Sequence, residues 1–472
     1  MFKSIVLLCC SVSALIAESR PNVLFISIDD LRPELGTYGT KALTPNIDKL
    51  ASAGVRFDHA YCNQAVCGAS RLSLMTGLYP EKTGERSFHV TGWRERFPDT
   101  ITLNQHFMSN GYNTIGLGKI YHDNHGDGVD MKNWSQWLKV SGSAYVNPES
   151  RKNMRVTQSS TKVRRRGPAT EAGGEGSIEY TDSKRAKKAA ELLGELAQKD
   201  KPFFLAVGFT KPHLPFNAPK KFWDLYERED FSMPANTGMP PGYPEYAAEL
   251  DAGEIRSYSD IPEKGVLTTD FPEELNKRLL HGYHACVSYM DDNVGTVLDA
   301  LDKSGLSKNT IVVFWGDHGW KLGDHSSWCK HTNFECDTRV PLIIRAPGKG
   351  KGQSDALVEL IDLYPTLCDL TGLKKPTHLQ GDSFLNSVTD PEIKHRDFAY
   401  SSYAHSGKVG HSIRTPQYRY TEWWKKGTDE RIDRVMTDIK ADPGETTSAL
   451  KGNKELADSL SEELKKRVLE VR

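Results

Sequence analysis

No CxxC pair occurs anywhere in the sequence, and of its eight cysteines the six beyond the adjacent Cys9 and Cys10 are widely scattered. That excludes both the dense framework of a disulfide-stapled secreted domain and the ligand spacing of a zinc finger. A single bridge among Cys62, Cys67, Cys286, Cys329, Cys336 and Cys368 is compatible with the spacing, but the core does not need one. An excess of either charge is also missing. Lysine plus arginine numbers 61 and aspartate plus glutamate 62, so nothing global points to a nucleic-acid partner, although a local pocket can still be cationic. The apolar run in MFKSIVLLCCSVSALIAESR is too short for a stable membrane span. With Lys3 ahead of it and small residues leading to Ala17, it reads as a signal peptide over residues 1–19. Export is therefore expected, to the periplasm or outside the cell if the source is bacterial. Cys9 and Cys10 lie inside the run, not after it, which argues against a lipoprotein processing site.

What is present is a 472-residue chain with 38% hydrophobic and 26% charged residues, the composition of a soluble globular protein. Val23 to Ile28 is an apolar run interrupted only by Ser27, as a strand buried on both faces requires. The same signature recurs in KPFFLAVGF, TIVVFWG and VPLIIRAP, with helical patterns between, as in TPNIDKLASAG and SKRAKKAAELLGELAQ. Between 273 and 303, Leu279, Tyr283, Val287, Met290, Val294, Leu298 and Leu301 recur at helical spacing and Gly305 closes the pattern. Alternating helices and buried strands predict an α/β fold: a large, mostly parallel central sheet flanked by helices, over residues 20–375. Residues 376–472 change character. HSIRTPQYRYTEWW suggests a strand or hairpin and the charged end a helix, so a smaller C-terminal α+β domain with antiparallel sheet is expected. Irregular stretches at 123–180 and 228–266 read as surface insertions that shape a rim.

In such sheets, sites collect at the carboxyl ends of the strands. Asp29-Asp30, Lys119, His213 and Asp317-His318 all follow apolar strands in the sequence. Adjacent carboxylates at a strand end are costly unless a cation neutralises them. Asp29, Asp30, Asp317 and His318 suit an oxygen-preferring divalent ion, calcium or magnesium, better than zinc. Arg71, Lys119, His122, His213 and Lys330 form a second, cationic set that would cradle a tetrahedral anion. The nucleophile is open between Cys67 and Ser70 in CGASR. The apolar spacing of ASRLSLMTG places that motif at the first turn of a helix, where free amides favour anions.

Cys67, Ala69 and Arg71 satisfy the signature of the type I sulfatases of the alkaline-phosphatase-like superfamily. The chain also resembles them, and most of all their iduronate-2-sulfatase branch, in NVLFISIDDLRPELGTYG, QAVCGASR, GYNTIGLGKIYH, PFFLAVGFTKPHLPF, GDHGWKLGDHSSWCK and VELIDLYPTLCDLTG. The resemblance implies that Cys67 is oxidised to Cα-formylglycine, by a formylglycine-generating or an anaerobic sulfatase-maturing enzyme. Its hydrated gem-diol would be the nucleophile, passing through a covalent sulfate intermediate. The resemblance places one Ca²⁺ among Asp29, Asp30, position 67, Asp317 and His318. Arg71 and Lys119 would hold the modified residue, and His122 would orient it and accept a proton. His213 and Lys330 would bind sulfate oxygens and help the alcohol depart. The implied substrate is a sulfated saccharide, with 2-O-sulfated uronic acid as the candidate unit. A phosphate or phosphonate monoester hydrolase of the same superfamily and an inactive carbohydrate-binding relative are the competing expectations. Ala69 stands where proline is commoner, which leaves the maturation route open. Nothing in the sequence speaks to oligomeric state.

Overall fold

The computed structural model describes residues 20–88, 90, 92–122, 130–158, 163–174, 179–248, 250, 253–262 and 271–472. The expected signal peptide, with Cys9 and Cys10, lies outside the described residues.

Eight strands build the central sheet: β1 (Asn22–Ile28), β2 (Val55–Tyr61), β3 (Asn113–Gly118), β4 (Gln136–Leu138), β5 (Phe203–Phe209), β6 (Thr310–Gly316), β7 (Arg339–Arg345) and β8 (Gly352–Glu359). Their order is β8-β2-β7-β6-β1-β5-β3-β4. Every neighbouring pair is parallel except the two that involve β7. The reversal has a simple cause. Among the described elements, only 3-10 and single-turn helices lie between β6 and β7, so no crossover helix carries the chain to the far end of the sheet. The chain leaves the top of β6, spends residues 317–338 there, and comes back down as β7.

β1, β5 and β6 are buried throughout. Along β1, Leu24, Ile26 and Ile28 join one apolar cluster, while Val23 and Phe25 join a second on the opposite face. The first cluster is covered by α1 (Pro45–Ala53), α4 (Thr181–Leu196) and α5 (Glu273–Lys303); the second by α2 (Cys67–Thr76), α3 (Leu103–Ser109) and α6 (Leu363–Thr371). This is a three-layer sandwich, and its central helix α5 occupies the bounds that the apolar spacing predicts.

The C-terminal part is a four-stranded antiparallel meander, β9 (Ala399–His405), β10 (Lys408–Arg414), β11 (Tyr418–Lys425) and β12 (Arg431–Asp438), followed by helix α7 (Lys454–Val471). Leu460, Leu464 and Val468 of α7 pack with Tyr400, Ile413, Tyr420 and Met436, and with Tyr79 and Ile361 from the larger part. A buried ionic network adds to that junction. Glu335 meets Arg414 at 3.2 Å and also Arg419, accepts a hydrogen bond from the Tyr61 hydroxyl at 2.8 Å, and donates its backbone N–H to Glu445 at 2.6 Å.

The register positions the site. Ile28 stands opposite both Phe209 and Gly316, and Gly118 opposite Gly208, so β3, β5, β1 and β6 end level with one another. The residues that follow each end share one small volume.

Candidate active site

Asp29 and Asp30 leave the end of β1 with fully buried side chains. Asp30 has φ 56°, in the left-handed region that a non-glycine residue adopts at a cost. Asp317 faces them from β6: its Oδ1 accepts the backbone N–H groups of Asp30 (3.1 Å) and of His318 (3.0 Å).

Cys67 opens α2 and is 1% exposed. Its Sγ lies 3.1 Å from His318 Nε2, 3.8 Å from Lys119 Nζ and 3.9 Å from Asp30 Oδ1. The next residue must be small. A Cβ on Gly68 would sit 2.5 Å from the carbonyl oxygens of Ser87 and Phe88, whose backbone crosses the start of the helix. Ser70 is turned to a structural task, donating to the Asp317 carbonyl at 2.5 Å, so of the two candidate nucleophiles only position 67 faces the carboxylates and His318.

Arg71, one helical turn on from Cys67, has no exposed surface. Its guanidinium reaches Asp317 Oδ2 (2.9 Å), Asp29 Oδ1 (3.3 Å), Ser27 Oγ (3.1 Å) and the carbonyls of Lys119 and Ile120. The polar residue that interrupts the apolar run Val23 to Ile28 is thus accounted for, since Ser27 accepts from Arg71 and donates to the Lys119 carbonyl at 2.7 Å. Lys119 pairs with Asp29 through Nζ. Its backbone lies so close to β5 that a Cβ on Gly208 would come within 2.4 Å of it. Lys330 Nζ lies 2.8 Å from Asp30 Oδ1, and His213 Nε2 lies 3.8 Å from Asp30 Oδ2 and 3.9 Å from Asp29 Oδ2. His122 is half-buried with its ring stacked on Phe88, centroids 6.0 Å apart.

One participant was not legible in the sequence. Glu254 places Oε1 3.1 Å from His213 Nε2 and Oε2 3.1 Å from Lys330 Nζ. It comes from the irregular stretch 228–266, where one acid among several, between prolines, glycines and tyrosines, carries no signal. Ser27, in contrast, stands out as the one interruption of the apolar run from Val23 to Ile28.

The electrostatics split the acid pair. Burial raises the Asp29 carboxyl, but Lys119, His213 and Arg71 outweigh it and hold Asp29 well below the usual range. Burial dominates at Asp30, which is raised despite His213 and Lys330. Burial, then Asp29, push the Cys67 thiol well above its ordinary value against the pull of Lys119 and Lys330. An unmodified thiol here is a weak source of thiolate.

The donor set fits a divalent cation. Asp29, Asp30, Cys67 and His318 each offer a ligand atom, all within 4.8 Å of one another. Asp30 Oδ2 is buried with no hydrogen-bond partner. His318 Nδ1 donates to the Gly319 carbonyl at 2.8 Å, which leaves the Nε2 lone pair turned toward the carboxylates. Two carboxylates and one imidazole match a hard cation. Asp317 stands just outside this group, with Oδ2 3.5 Å from His318 Nε2 and engaged by Arg71.

A buried position 67, a cation-sized carboxylate cluster and a ring of lysine, arginine and histidine at parallel strand ends suit a hydrolase of tetrahedral anionic esters. Residues 21–373 match the Sulfatase family and residues 323–472 the N-sulphoglucosamine sulphohydrolase C-terminal family, and the chain belongs to the sulfatase family of sulfuric-ester hydrolases. Iduronate 2-sulfatase of Mus musculus is 34% identical over 478 residues, which cover 86% of this chain and 85% of that one. A sulfatase of Formosa agariphila is 32% identical, over 90% and 82%. Among solved structures, a protein in complex with its substrate D-glucosamine-2-N,6-O-disulfate superposes with a TM-score of 0.74, covering 96% of this chain and 97% of its own; at 24% identity that likeness speaks for the fold alone.

Proposed function

We propose that this sulfatase removes the sulfate ester from a glycosaminoglycan-type saccharide, 2-O-sulfated uronic acid being the favoured unit, with Cys67 matured to Cα-formylglycine and one Ca²⁺ held by Asp29, Asp30, position 67, Asp317 and His318. The observation that carries the chemistry is Cys67 Sγ set among His318, Lys119 and Asp30, with Lys330 and His213 on the same carboxylates. The uronic-acid preference is supported by the 34% identity to iduronate 2-sulfatase.

The formylglycine diol supplies a nucleophilic hydroxyl and the calcium ion supplies positive charge beside it. Everything else falls to the chain's own side chains. Arg71 fixes Asp317 and Asp29 in place, and Lys119 neutralises Asp29 while sitting 3.8 Å from position 67. Lys330 and His213 supply donors for the sulfate oxygens and a proton for the departing alcohol. His122 is assigned the proton acceptor role. The substrate reaches the site outside the cytoplasm, after removal of residues 1–19. Among the described residues no helix is long and apolar enough to cross a membrane.

Peptide mass spectrometry of protein from its native compartment, paired with a panel of defined sulfated oligosaccharides, tests this reading. The expected result is the mass of an aldehyde in place of the thiol at position 67, and release of sulfate from 2-O-sulfated uronic acid at the non-reducing end. An active preparation in which Cys67 remains a thiol throughout would overturn the mechanism. Activity confined to N- or 6-O-sulfated glucosamine would overturn the substrate.

A further inference from the structure

Two of the groups assigned to the sulfate are already engaged by a carboxylate that belongs to the protein. Glu254 bridges His213 and Lys330 at 3.1 Å each, with its side chain 15% exposed. The neighbouring Ile255 is fully buried and anchors the turn Gly253–Arg256 from which Glu254 projects. Burial raises the Glu254 carboxyl, but Lys330 and His213 outweigh it and hold it well below the ordinary carboxylate range. A carboxylate held between an imidazole and an ammonium sets a negative charge beside the two groups assigned to the sulfate oxygens.

Sulfate and phosphate monoesters are nearly the same in shape. Their charge differs: a sulfate monoester carries one negative charge, whereas a phosphate monoester gains its second near pH 6. Repulsion scales with the product of the charges, so a fixed carboxylate beside the anion penalises the doubly charged ester about twice as heavily. We propose that Glu254 is a specificity-determining residue, whose carboxylate between His213 and Lys330 makes the site select singly charged sulfate esters over doubly charged phosphate esters. This rests on the sulfatase reading and deepens it.

The test compares kcat/KM for matched aryl sulfate and aryl phosphate, using the matured protein from pH 5 to pH 8. In the wild type the phosphate-to-sulfate ratio falls as the phosphate ester takes on its second charge. In Glu254→Gln the ratio at pH 8 rises by about tenfold or more, and its pH trend flattens. Glu254→Asp, which keeps the charge, retains the wild-type trend. Equal loss on both esters in Glu254→Gln, with ratio and trend unchanged, would show a purely structural residue and overturn the proposal. A flat wild-type ratio overturns it without any variant, which guards against a Gln variant that fails to fold. A wild type inactive on every sulfate ester would overturn the sulfatase reading itself, an outcome distinct from both.

Discussion

Arg71 Nε stands 2.9 Å from Asp317 Oδ2, and neither side chain has any exposed surface. The pair ties the first turns of α2 to the end of β6, and the second arm of Arg71 reaches Asp29 at the end of β1. Removing one partner of a buried pair strands the other charge in a dry interior, a loss of about 3–5 kcal/mol. Arg71→Ala is therefore expected to lower the midpoint of urea unfolding substantially and to abolish sulfate release. Wild-type stability with lost activity would mean that Arg71 serves the substrate and not the frame.

Lys119 neutralises Asp29 and sits beside position 67, so its charge counts most when negative charge builds up there. Lys119→Ala should reduce kcat by about 10²- to 10³-fold, the range for loss of one oxyanion stabiliser. An unchanged kcat in steady-state assays would remove Lys119 from the chemistry.

The carboxylate cluster predicts a metal-dependent stability. Treatment with a calcium-selective chelator should lower the Tm measured by calorimetry, and added Ca²⁺ should restore it. A ligand at a hundred times its Kd contributes about 2.7 kcal/mol to the folded state. A Tm indifferent to both would argue against a resident cation.

Glu445 gives a pH prediction away from the site. Burial raises its carboxyl to about 7, Arg419 pulling against it and Glu335 adding to it. The folded chain then holds a proton that the unfolded chain releases near the ordinary value of 4.5. Its contribution to stability is full below that value and is lost as pH rises toward 7. Glu445→Gln should remove this slope, worth at most about 3 kcal/mol, and make denaturation midpoints at pH 5 and pH 7.5 more alike. An undiminished slope would place the titrating group elsewhere.

Much of the fold could be read from local pattern. Val23 to Ile28, KPFFLAVGF and TIVVFWG are apolar because both faces of those strands are covered, and the polar residues that end them mark where the sheet opens. The apolar spacing of α5 and the start of α2 at Cys67 follow from the same periodicities. The reversal of β7 could not be read, because a strand's own residues look alike in either direction; it depends on the chain between β6 and β7. Glu254 was hidden for a different reason. Its role comes from two partners distant in sequence, His213 and Lys330, that only the folded chain brings to it. Arg71 and Lys119 were read as cations for a substrate, and the structure adds that both spend that charge on Asp29.

The depth of position 67 sets an order of events. Cys67 is 1% exposed, and the carbonyls of Ser87 and Phe88 close over the residue beside it. Under the formylglycine proposal, an enzyme that converts that sulfur would have to reach the chain while CGASR is still extended, before the sandwich buries it. Folding then seals whichever side chain is present. Under the same proposal, a chain that folded with its thiol intact would stay inert, and a converting enzyme added afterwards would not rescue it.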